Sequence, residues 1–79
     1  MPEAMSYSDG TMHYSTGAVQ AKGPLLEGTP HGAWAWFRKD GTLMRSGHFD
    51  RGRQVGLWRT FERSGRLVKE TDFDKPGSA

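Results

Sequence analysis

Three imidazoles are the first candidates for chemistry in this chain of 79 residues, at His13, His31 and His48. Two ligands on one metal ion call for close patterns such as H-x-x-x-H or H-E-x-x-H, which put both rings on one side of an element. These three are 18 and 17 residues apart, so they read as ordinary exposed histidines and no metal site is expected. Nucleophilic catalysis needs a hydroxyl or thiol held beside a base. The chain has no cysteine and no G-x-S-x-G elbow, and its serines lie in turn-like stretches. Carboxylates for acid–base work could come from Glu27, Asp40, Asp50, Glu62, Glu70, Asp72 or Asp74. Most of these sit in turns or beside arginines, where the ionised form is favoured. The glycines stand singly, with no helix start behind them to cradle a phosphate. The expectation is a protein that is not an enzyme, with no catalytic residue and no cofactor.

What remains is surface. Trp34, Trp36, Trp58 and the arginines Arg45, Arg53, Arg59 and Arg63 are of the types enriched at binding hot spots. Trp34 and Trp58 recur at equivalent positions and read as core. Trp36 does not recur, since its equivalent is Thr60, and a ring that breaks the period has no ladder to serve. Trp36 is therefore the leading partner-binding candidate, with Arg45, Arg53, Arg59 and Arg63 beside it; packing against the first unit is the competing role for Trp36. Net charge is only +2. From Arg38 to Lys69 nine basic residues face three acidic ones, a local excess of +6, and Glu70, Asp72 and Asp74 follow at once. Interspersed charge of this kind is in the first instance a solvated sheet face; the alternative is a surface for anionic phospholipid or single-stranded nucleic acid.

The elements that must carry these residues are set by a repeat. Gly28, Gly32, Trp34, Phe37, Gly41, Leu43, Phe49 and Asp50 return as Gly52, Gly56, Trp58, Phe61, Gly65, Leu67, Phe73 and Asp74, each 24 positions on. The same offset finds Gly17, Val19, Gly23 and Leu25, so residues 12–26 look like a worn first copy. Each full copy holds two strand-length runs, near 32–38 and 42–49, then 56–62 and 66–73. Asp40-Gly41, Ser64-Gly65 and the "DRG" at 50–52 fall where two-residue hairpin turns need positive φ. Recurrent glycine rules out helix.

Stacked equivalents are expected to form ladders, Trp34 on Trp58, Phe37 on Phe61 and Phe49 on Phe73. Gly32 and Gly56 either leave flat space for a neighbouring indole or serve turns and bulges. Because Trp58 and Phe61 are an odd number of residues apart, they share a face only if a bulge intervenes.

The pattern G-x-x-x-G-x-W-x-x-F-x-x-x-G-x-L-x-x-x-x-x-F, read from Gly28 and again from Gly52, resembles the bacterial variant of the MORN repeat, found in tandem hairpin arrays that include antitoxin-type proteins. The likeness extends over residues 12–74, with Trp36, Thr71 and the eroded first copy as departures. It implies an all-β fold, an antiparallel β-hairpin meander forming a single twisted sheet, divided as 1–11 N-terminal segment or cap strand, 12–26 partial repeat, 27–50 repeat, 51–74 repeat and 75–79 tail. Pro76 stands where the next unit would need a glycine. The implied role is a non-catalytic module binding a protein partner, antitoxin-like or inhibitor-like. Too few units to bury their own faces and edges point to a homodimer. The stretch "MPEAMSYSDG" has neither a basic nor an apolar leader-like region, and no run of about 18 apolar residues occurs, so a cytoplasmic protein is expected.

Overall fold

A computed structural model describes residues 6–74; the tail at 75–79, with Pro76, and the first five residues of the N-terminal segment lie outside the described residues. The fold is all-β, with β1 (Tyr7–Asp9), β2 (Met12–His13), β3 (Val19–Lys22), β4 (Pro24–Leu26), β5 (Thr29–Pro30), β6 (Gly32–Phe37), β7 (Leu43–Asp50), β8 (Arg53–Phe61) and β9 (Leu67–Asp72). Every pairing is antiparallel. Six strands run in the order β2-β3-β6-β7-β8-β9, and β1-β4-β5 form a smaller sheet. No helix among the described residues is long and apolar enough to cross a membrane.

The small sheet is the far half of the first three long strands. β3 and β4 are separated only by Gly23, and β5 and β6 only by His31, whereas their counterparts 24 residues on run unbroken as β7 and β8. Continuity across the break is kept by Gly52, whose amide donates to the Pro30 carbonyl at 2.8 Å. The result is a plate measuring 48 × 41 × 14 Å, one layer thick, since two packed sheets alone would be about 10 Å apart before their outer side chains were added.

Two kinds of turn alternate, one kind at each end of the plate. Glu27-Gly28 and Arg51-Gly52 are two-residue loops between Leu26↔Thr29 and Asp50↔Arg53. Both residues of each have positive φ, 50° and 85° in the first and 51° and 88° in the second, the signature of the type I′ turn whose twist matches that of the strands. The other ends differ from the two-residue expectation. Arg38 N–H donates to Thr42 O and Gly41 N–H to Arg38 O, both at 2.9 Å, and Glu62, Gly65 and Arg66 repeat the scheme. These are three-residue loops in which only the glycine, Gly41 or Gly65, is left-handed; Asp40 and Ser64 are freed for another task. Each accepts from the amide two residues on, Thr42 N–H to Asp40 and Arg66 N–H to Ser64. Thr16 accepts from Ala18 in the same way, so the first hairpin has the same turn despite its divergent sequence.

Candidate functional site

Alternation along β6 places Trp34 and Trp36 on one face and Ala33 and Ala35 on the other. The first face carries the core. Trp34 and Trp58 are 4% and 3% exposed, and Ala21, opposite Trp36, is fully buried. Each indole lies flat over a glycine of the preceding strand: a Cβ on Gly23 would come within 2.3 Å of Trp34, and one on Gly47 within 2.1 Å of Trp58. The glycines that seat the rings are thus Gly23 and Gly47. Gly32 and Gly56 instead adopt positive φ of 99° and 69°, the turn and bulge role; Gly56 lies where β8 carries extra residues against Gly47 of β7. The two indole N–H groups donate to equivalent carbonyls, Trp34 to Pro24 at 2.9 Å and Trp58 to His48 at 3.1 Å.

The expected ladders of like residues do not form. One period spans two strands, which separates equivalent rings by roughly 10 Å. Rings on neighbouring strands meet instead, edge to face: Trp34–Phe49 at 6.2 Å, Phe49–Trp58 at 5.1 Å and Trp58–Phe73 at 6.2 Å. Trp36 fills the gap that the two-strand spacing leaves, 6.0 Å from Trp34 and 5.3 Å from Trp58. The aromatic that breaks the period therefore has a packing reason to be there. Arg45, opposite Trp36 in the register, closes over the Trp58 ring at 5.0 Å.

The other candidate residues are dispersed. Arg59 is on the opposite face, ion-paired with Glu70 at 2.9 Å. Arg63 reaches from its turn to Asp40 at 2.9 Å. Arg53 is exposed at the far end of the plate, across from Asp50. The five residues make no single patch: Trp36 and Arg45 share the aromatic face, and the other three lie apart from them.

What the opposite face holds is an open groove of about 1010 Å³. Its floor is Ala33, Ala35, Ser46 and Gly47, and Lys22, His48, Leu57 and Arg59 stand around it. Lys22, Ala35, Ser46 and Arg59 form one row across four strands, so the two cations flank two small residues about 14 Å apart. The signal for this surface is the alternation "AWAW" at 33–36, large on one face and small on the other.

His48 pairs with Ala33 and Val55 on the groove face, and His31 Nδ1 accepts from the Arg51 amide at 3.0 Å. Asp40 is held below the ordinary carboxylate range, first by the Thr42 hydroxyl at 2.6 Å, then by the Thr42 amide at 2.9 Å, with Arg63 and Arg38 adding attraction. Asp9 is lowered likewise by the hydroxyl and amide of Thr11. These carboxylates brace loops, and neither is poised to take a proton near neutrality. No family model matches this chain, and no curated protein or solved structure does either.

Proposed function

We propose that the chain is a non-catalytic MORN-like repeat module of the cytoplasm that binds a protein partner, antitoxin-like or inhibitor-like, and that the partner is seated on the groove face. The observation that carries this reading is the division of labour between the faces. The aromatic rings and Arg45 cover one another on one face, while Ala33, Ala35 and Ser46 leave a small-residue depression on the other. Small side chains on a rigid sheet let a partner's backbone or an inserted side chain approach closely, and the row ending in Lys22 and Arg59 offers cations to an acidic, extended segment. Engaging Arg59 costs little, because its pair with Glu70 is solvent-exposed.

A second reading, an anionic phospholipid surface or a nucleic acid as ligand, draws on the same two cations. Salt separates the two, since affinity for a polyanion falls by orders of magnitude over moderate salt while a packed interface holds. The test is capture from nuclease-treated lysate of the source cell at two salt concentrations, with wild type, Ala35→Trp and Arg53→Ala. Retention of one protein at both salts, lost with Ala35→Trp and kept with Arg53→Ala, supports the groove. Binding indifferent to a bulky residue at position 35 refutes it. Sedimentation of the free chain reports separately on the expected homodimer.

A further inference from the structure

The outer edge of β9 differs from the second unit boundary at four positions that couple one copy to the next, while Phe73 keeps the ring of Phe49. Across the first boundary, the Tyr14 hydroxyl donates to the Phe37 carbonyl at 2.7 Å and Gly23 seats Trp34. Across the second, Arg38 donates to the Phe61 carbonyl at 2.5 Å, Asp40 pairs with Arg63, Gly47 seats Trp58, and Trp36 packs on that same indole. The residues 24 positions further on are Glu62, Ser64, Thr71 and Thr60. Glu62 has no proton to donate when ionised, and its carboxylate accepts from the Ser64 hydroxyl within its own loop. Ser64 can form no ion pair with an arginine, as Thr16 at the first boundary also cannot. Thr71 carries the Cβ for which the two glycine seats have no room. Thr60 does not reach across two strands as Trp36 does.

We infer that β9 is a built terminus of the array: the third hairpin closes the sheet to any further copy of the same unit, whatever sequence follows it. The four positions act together because each is one half of a contact whose other half lies in the next copy. Replacing a socket, a donor, an anion and a ring at one edge removes all four kinds of contact at once. Where Trp36 has an indole to serve on either side, Thr60 has only Trp58, so the loss of the ring at that position is the expected mark of a last unit. Terminal units of stacked arrays are atypical for this reason. A strand added at β9 must therefore be of a different kind, held by backbone hydrogen bonds and by the exposed Leu67, Val68 and Phe73.

The experiment inserts a second copy of residues 51–74 after Asp74 in the full chain, once with the native boundary and once with Thr60→Trp, Glu62→Arg, Ser64→Asp and Thr71→Gly. Amide hydrogen exchange is read separately for the inserted copy and for residues 6–74. At the native boundary the inserted copy is expected to exchange within about tenfold of an unstructured peptide, and at the restored boundary at least about a hundredfold more slowly. Protection of the inserted copy at the native boundary overturns the inference. So does failure of the restored boundary to protect it while residues 6–74 stay protected. Thr71→Gly alone, one Cβ removed from an exposed edge strand, serves if the fourfold change unsettles the sheet; no gain in protection over the native boundary then refutes it.

Discussion

Gly47→Ala isolates the packing argument, because the methyl it adds can act only through space. Gly47 lies in β7 without positive φ, so alanine meets no backbone penalty there, and elsewhere such a change stabilises by about 0.4–1 kcal/mol through the unfolded chain. Here the new Cβ would lie 2.1, 2.2 and 2.5 Å from Cδ2, Cε2 and Cε3 of Trp58, so the ring must retreat by more than an ångström to regain ordinary contact. Overpacking of this kind costs about 1–3 kcal/mol. Displacement of the ring also weakens the bonds from its N–H to His48 and Val55, both 3.1 Å, worth roughly 1 kcal/mol together after exchange with water. Less the gain through the unfolded chain, a net destabilisation of about 1–3.5 kcal/mol is expected in urea unfolding followed by tryptophan fluorescence. Gly41→Ala is the control: it has open space around its Cβ but φ of 90°, and should cost about 1–2 kcal/mol from backbone strain alone. A Gly47→Ala protein as stable as wild type would show that the Trp58 indole is not seated over Gly47.

Four other outcomes follow from the same geometry. Trp36→Thr, which copies the residue at the equivalent position, should lower stability by about 1–3 kcal/mol in the same assay, the half-buried ring leaving a gap between two indoles; an unchanged midpoint would return Trp36 to the partner-facing role. Arg38→Met keeps the aliphatic stem and removes the donor to Phe61 O, and should cost about 1 kcal/mol, with faster amide exchange concentrated in the loop at 62–66. Arg59→Ala should stay within about 0.5 kcal/mol of wild type, its exposed pair with Glu70 contributing little. Asp9 and Asp40 have native pKa values depressed below their unfolded ones. Their contribution is therefore fully present above about pH 4 and is lost as pH falls through the depressed native values. Thermal melts of Asp40→Asn against wild type should converge as pH drops through that window; a gap that widens with acid would reverse the sign of the linkage.

Much of the architecture was legible because glycine and aromatic residues recur at a fixed interval. The β7, β8 and β9 bounds fall within a few residues of the runs marked by Leu43, Phe49, Trp58 and Leu67. The ring ladders and the glycine seats differ from expectation for one physical reason. A hairpin period places equivalent rings two strands apart, so Trp34 meets Phe49 and Trp36 where Trp58 was expected. For the same reason the glycine beneath each indole is the one on the neighbouring strand, 11 residues earlier, and not the one two residues before the ring. Gly41 and Gly65 were recognisable as left-handed, but whether two or three residues close a loop depends on strand register, which Arg38–Thr42 pairing fixes and local composition does not. The groove was hardest to see, because Ala33, Ala35 and Ser46 contribute by being small.

The meander has a kinetic consequence. Each long strand bonds chiefly to the strand before it and the strand after it, so no pairing waits on closure of a long loop, and the entropic barrier to each step is that of a short hairpin. Synthesis from the N-terminus delivers the strands in the order in which they add. Growth of the sheet can follow chain emergence one strand at a time, each new indole falling onto a glycine already in place.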